Sequence, residues 1–170
     1  MAITLNPPNT IHLSGGANEV GDLAAGVAIC PGMLVERYVP SGSIVRVRPH
    51  ATASVATARN FAVEQSEVNK NVSDGYAIND LVRSKIVEPG GTVWAIIPSG
   101  QNIAAGQKLE SNGDGTLKAY ATLGAALVSA VESVNNTNGQ TGLAQNPPPP
   151  QSGSTTALPL GAARIRVEVL

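Results

Sequence analysis

The chain has 170 residues, room for one domain, with a formal net charge of −1 and only 14% charged side chains. The absence of a basic stripe argues against direct nucleic-acid binding. No segment approaches the roughly 18 apolar residues of a membrane span, and a single cysteine, Cys30, excludes an intrachain disulfide. Hydrophobic residues make up 42%, but most are Ala and Val and aromatics are only 3%, so the core is thin for the length. Gly (18) and Pro (12) give the turn-rich composition of a β protein. With so thin a core, part of the stability is expected to come from association with other chains.

In chain order, residues 1–25 read as an extended N-terminal arm. Pro7 and Pro8 break any regular element, and Ile3, Leu5, Ile11 and Leu13 are spaced among polar and turn residues. With no strand close by in sequence to pair with, these four aliphatics are the candidate partner contacts. The segment MAITLNPPNTIHLSGG has neither the basic region nor the apolar run of a secretory signal, so synthesis in the cytoplasm is expected.

Residues 26–134 read as the β domain. Leu34–Val39 and Ser43–Arg48 flank a Pro-Ser-Gly turn as a hairpin, with Val45 and Val47 on one face and Ile44, Arg46 and Arg48 on the other. The face carrying Arg46 and Arg48 is expected to be solvated. Phe61 marks a short strand, and two further strands flank the turn at Glu88–Gly91, with Trp94 expected in the core. Asn-Gly and Asp-Gly pairs at 112–115 predict a tight hairpin that sets Lys108-Leu109 against Leu117-Lys118. PGMLVE and AGQKLE repeat a glycine and a glutamate at equal spacing (Gly32 with Gly106, Glu36 with Glu110), a likeness as weak as chance produces. Ala125–Val134 fits a helix or a strand equally. Residues 135–160, with four consecutive prolines, read as a Pro-rich surface loop. Residues 161–170 alternate as a closing strand, with Ile165, Val167 and Val169 buried and Arg164, Arg166 and Glu168 wet.

A search for chemistry finds no catalytic, cofactor-binding or metal-binding set. His12 and His50 have no partners at zinc-ligand spacing, and the phosphate-loop, nucleophile-elbow and calcium-loop patterns are absent. Asp74, Asp80 and Asp114 sit beside Gly or Asn as turn residues do. Cys30, between Ile29 and Pro31, reads as a small buried hydrophobe. Its pairing with His12 or His50 is the sole route to a nucleophilic enzyme. Glu64 and Glu67 form a possible acid–base pair with no visible cause for a shifted pKa.

The run from Asn60 to Tyr120 resembles the capsid decoration, or cement, proteins of tailed bacteriophages. GYAINDLV matches a step of the form aYaaGD.V, and Pro89–Leu117 matches a run of the form pGdevya.l..G..i..G..L.s.gdG.L. GAALVSAVESV and ARIRVEVL resemble the family's last two strands. Asn79 stands where Gly is common, and the insert between Asn138 and Gly161 departs from the pattern. The resemblance implies an all-β small barrel or jelly-roll-like module. It implies a homotrimer that binds the major capsid protein on the outer surface of the virion and clamps neighbouring capsomers. It also implies synthesis in the host bacterial cytoplasm, no enzyme activity and no cofactor. The arm would add a strand to the capsid protein or to a sister subunit. The alternative is an independent host- or carbohydrate-binding β module, which would need an exposed aromatic platform.

Overall fold

A computed structural model describes residues 9–42, 44–121, 125–137 and 161–170. The described chain is all β, with one short 3₁₀ turn at Ser66–Val68. Thirteen strands run in chain order: β1 His12–Ser14, β2 Ala17–Ala24, β3 Val35–Tyr38, β4 Arg46–Pro49, β5 Asn60–Ala62, β6 Leu81–Val87 and β7 Thr92–Ile97, followed by β8 Gln101–Ile103, β9 Lys108–Ser111, β10 Leu117–Ala119, β11 Val128–Ala130, β12 Val134–Asn136 and β13 Ala163–Val169. They form a six-stranded sheet β1-β7-β13-β11-β9-β10, a three-stranded sheet β2-β6-β5, and the pairs β3-β4 and β12-β8. Every ladder is antiparallel. Among the described residues the large sheet has two free edges, β1 and β10, so it does not close into a barrel.

β7 is the wall between the two halves of the core. Strand alternation sends Val93, Ala95 and Ile97 into the main cluster with Leu109, Leu117, Val128, Ile165 and Val167. Ile96 points the other way, into a second cluster with Ile29, Met33, Val35, Val47 and Tyr76, and Trp94 joins a third with Ile11, Val63 and Val72. A strand buried on both faces explains why TVWAII reads as a continuous apolar run. β6 and β7 flank the Glu88–Gly91 turn yet do not pair; β6 lies between β2 and β5, β7 between β1 and β13. The turn is therefore a corner between sheets. Hydrogen bonds from Gly90 N to Val169 O (2.8 Å) and from Val169 N to Gly91 O (2.9 Å) pin it.

Three expectations need correction. From residue 9 onward, the stretch expected as an arm is part of the domain. β1 pairs with β7 (His12 opposite Val93), and β2 pairs with β6 along Ala17–Ala24, with a bulge between Val20 and Leu23. The partners lie some seventy positions away, so no local pattern announces the pairing. Second, the expected loop at 135–160 begins inside a strand, since Asn135 and Asn136 pair with Asn102 and Gln101. The buried Asn136 amide donates to Pro98 O (3.0 Å) and Gly161 O (2.8 Å), which ties the end of β12 to the residues just before β13. The Pro-rich segment itself lies outside the described residues. Third, Arg164 is not wet. It is 1% exposed, and its Nη1 and Nη2 each donate to a carbonyl, Pro31 O and Val72 O, both at 2.6 Å. The remaining alternation of β13 stands, with Arg166 half-buried and Glu168 exposed. Val128–Ala130 is a strand, which resolves the helix-or-strand ambiguity there.

Gly32 sits against the buried cation. Its φ is +94°, and a Cβ there would lie 2.4 Å from Arg164 Nη1 and 2.8 Å from Trp94 O. Gly42 also has a positive φ (+71°) but faces open space. Gly42→Ala should therefore cost only the conformational term, about 1 kcal/mol. Gly32→Ala should cost about 3 kcal/mol or more, because the guanidinium must move as well. Urea unfolding of the two variants, with unchanged slope and a larger midpoint shift for Gly32→Ala, checks this.

Candidate interaction surface

The four aliphatics expected to meet a partner are not grouped on the surface. Ile3 and Leu5 lie outside the described residues. Ile11 is fully buried with Val63, Val72 and Trp94, and Leu13 packs against the same group. Ile11 is fixed by its own backbone: its carbonyl accepts from Trp94 N (2.8 Å) and its N–H donates to Glu64 Oε2 (3.0 Å). Glu64 is thereby a strand anchor, and its other oxygen accepts from Thr10. Glu67 lies apart on the surface, paired with Arg83. Its carboxyl is held below the usual range by its own backbone N–H first and by Arg83 second.

The titratable groups that the fold does bring together link two hairpins. His50 is buried, with Nδ1 2.8 Å from Ser111 Oγ and Nε2 3.5 Å from Glu36 Oε2. Serine, histidine and a carboxylate in line suggest a nucleophilic triad, but the arrangement is wrong for one. A triad uses Nε2 on the serine and Nδ1 on the acid. Here the ring is reversed, and Ser111 is fully buried and accepts from Gly113 N (3.2 Å). The set is a polar bracket: β3–β4 supplies Glu36, its last residues lead into His50, and β9 supplies Ser111. Backbone bonds run beside it, from Leu34 N to Gly115 O (2.8 Å) and from His50 N to Leu34 O (2.9 Å). The fully buried Glu110 completes the bracket, accepting from Ser54 Oγ at 2.6 Å with Lys118 Nζ at 3.5 Å. The two weakly similar stretches around Glu36 and Glu110 are thus neighbouring hairpins that share one polar seam. Sequence reasoning missed this seam because His50 and Ser111 lie 14 and 75 positions after Glu36 and each residue is unremarkable alone.

Cys30 is 4% exposed and joins the second core cluster. Burial pushes its thiol up to about 11, with the Arg164 charge pulling weakly the other way. It is a protonated core side chain at neutral pH, the opposite of an activated thiolate. Among the described residues, no group of three or more His, Cys, Asp or Glu could hold a metal ion.

The surface carries a more distinctive feature. Large aliphatics stand exposed around the β3–β4 hairpin, with Ile44 73% and Val39 64% accessible, and with Val45 and Val27 also exposed. Arg46 sits among them. Its Nη1 donates to Asn79 Oδ1 (2.7 Å) and to Ala25 O (3.2 Å). Asn79 is flanked by the exposed Ile78 and lies two residues before the exposed Leu81, which pairs with Ala24. Asn79 itself adopts φ +73°, a left-handed conformation that Asn tolerates better than most residues. Exposed aliphatics thus adjoin in sequence both Arg46 (Ile44 and Val45) and the Asn79 that holds it (Ile78 and Leu81). The face carrying Arg46 and Arg48 is therefore not a plain solvated face. Arg48 bonds Glu36 Oε1 (2.7 Å) and stacks over the Tyr38 ring at 4.6 Å.

No family model matches the chain, and no curated protein matches it. Among the described residues, no helix is long and apolar enough to cross a membrane.

The buried thiol sets an alkaline limit. Below pH 9.0, the ordinary thiol value, Cys30 is protonated both folded and unfolded. Above it the unfolded chain loses the proton and the fold retains it, so stability falls as pH rises from 9 towards about 11. The loss should reach roughly 2–3 kcal/mol. Tyr76 is also raised by burial and adds a decline of its own at higher pH. Comparing the wild type with Cys30→Ala by urea unfolding between pH 8 and 11 isolates the thiol: the difference between them should narrow or reverse as pH rises.

Proposed function

We propose that the chain is a structural virion protein, a capsid decoration protein of a tailed bacteriophage. It binds the major capsid protein on the outer surface of the head as a homotrimer and clamps neighbouring capsomers. Its place is the virion exterior, after synthesis in the host cytoplasm. The role needs no cofactor and no reaction.

The observation that carries this reading is the ordered resemblance over Asn60–Tyr120, taken with the turns on which it falls. Its glycines at 90, 100, 106, 113 and 115 all have positive φ, and so does Asn79, where the family pattern carries Gly. The turn letters of the resemblance thus fall on turns of this chain. The aliphatics left exposed at the tip of the β3–β4 hairpin support the same reading, since large apolar side chains on the outside of a fold are available for association. So does the set of short strands in four separate sheets, which leaves backbone edges for neighbouring chains.

Purified protein should elute as a trimer by light scattering. Adding it to heads that lack it should raise the temperature at which they release DNA. Val39→Asp with Ile44→Asp should weaken head binding at least tenfold while leaving the urea midpoint within about 0.5 kcal/mol of wild type, because both side chains are already in water. A monomer that leaves heat release unchanged overturns the proposal. Glycan binding by such a monomer would establish the host- or carbohydrate-binding alternative.

A further inference from the structure

Among the described residues one Asn-Gly pair occurs, Asn112-Gly113, in the turn between β9 and β10. Such a pair carries its own reaction. Glycine has no side chain to shield its nitrogen, so that nitrogen can attack the carboxamide before it. A bond forms between Gly113 N and Asn112 Cγ, the Cγ–Nδ2 bond breaks, and ammonia leaves with the proton that Gly113 N gives up. Water then opens the cyclic imide at either carbonyl. One opening leaves aspartate at 112. The other leaves an isoaspartyl link, in which the main chain runs through the side-chain carboxyl.

In the folded turn both reacting groups are held. The Gly113 N–H donates to the hydroxyl of the fully buried Ser111 (3.2 Å), so the proton that must leave is engaged. Asn112 Nδ2, the leaving group, donates to Asp114 Oδ2 (3.1 Å) and to Thr116 Oγ1 (3.2 Å), which fixes the plane of the carboxamide. Asp114 is fixed in turn, since its Oδ1 accepts from Thr116 N (2.9 Å). Thr116 is fully buried, and its carbonyl accepts from Asn112 N (3.0 Å). The main chain has little room to swing, because a Cβ on Gly113 would lie 2.9 Å from Ala53 N. Cyclisation therefore requires the turn to open, and the open fraction sets its rate.

The product does not suit the turn it came from. Aspartate at 112 replaces the donor to Asp114 with a second carboxylate, so repulsion stands where a hydrogen bond was. The isoaspartyl link adds a carbon to the main chain just where Gly113, at φ +88°, packs against Ala53. The neighbouring Ser111 also bonds His50 (2.8 Å), so the lesion falls beside the polar seam between the two hairpins. We infer that Asn112-Gly113 is a one-way chemical latch. It is inert while the β9–β10 turn is closed, it cyclises when the chain unfolds, and the altered chain rebuilds a weaker fold. Unfolding is thereby made progressively irreversible. The inference does not depend on the decoration role.

The test compares full-length protein held in buffer with the same protein held in guanidinium chloride, at one mildly alkaline pH. Peptide mapping by mass spectrometry follows position 112 separately from Asn138-Gly139, the other such pair in the sequence. Conversion of Asn112 to aspartate and isoaspartate should be at least about tenfold slower in the folded sample. Chain aged in guanidinium chloride and returned to buffer should then unfold at a lower urea concentration than unaged chain. Asn112→Gln separates this lesion from all others, because glutamine would have to close a larger ring and does so far more slowly. The aged variant should unfold at the same urea concentration as the unaged variant. Equal rates at position 112 in the folded and unfolded samples would overturn the inference. So would aged wild type that regains its full midpoint, or an aged Asn112→Gln chain that loses as much as wild type. None of these results bears on trimer formation or head binding.

Discussion

A buried guanidinium that forms no ion pair among the described residues organises this molecule. Arg164 sits at the start of the strand between β7 and β11, on the face shared with Trp94 and Ile96. It reaches out of the sheet to two carbonyls, Pro31 O and Val72 O, that belong to no ladder. Its Cζ lies 5.1 Å from the centroid of the Trp94 ring. Burial holds its pKa down to about 10, with attraction to Cys30 and Glu64 opposing. A cation satisfied by backbone dipoles and a ring face is costly to desolvate, so it contributes to a single arrangement more than to net stability. The loop around Gly32 and the loop around Val72 are thereby referred to one guanidinium of the central sheet.

The rest of the fold follows from that tie. With residues 30–33 held against β13 and β7, the hairpin β3–β4 must leave the core in a fixed direction. Leu34 and Phe61 bridge on one side of it, and Ala25 and Val47 on the other. The seam of Glu36, His50, Ser111 and Glu110 fixes its base to the second hairpin, β9–β10. At its tip Val39, Ile44 and Val45 are left in solvent, aliphatic side chains that find no place inside. A thin core and these unburied aliphatics are two sides of one arrangement: surface that the chain cannot bury alone is available to a neighbour. This is the physical basis on which the proposed capsid-clamping role stands.

Much of this was legible in the sequence wherever the information was local. The two hairpins were readable from Pro-Ser-Gly and from Asn-Gly-Asp-Gly, because turn residues must suit their own backbone angles whatever surrounds them. The buried row Ile165, Val167 and Val169 and the burial of Trp94 were readable from strand alternation. The family resemblance likewise rests on turns. The partner contacts were not readable: Ile11 looked like part of a free arm because the strand that receives it starts at Thr92. The polar seam was equally hidden, since no one segment contains more than a fragment of it.

By itself, then, the sequence determined an all-β chain, the places where it turns, and which strand faces are apolar, since each depends on a residue and its close neighbours. Only the tertiary structure decided which strands pair, that the Glu88–Gly91 turn joins two sheets, and that Arg164 points inward. Pairing depends on contacts between segments far apart along the chain. A strand's polar face becomes a second interior only when another layer is laid over it. At Arg164 that layer is made by residues about 90 and 130 positions upstream, and no period in ARIRVEV can register them.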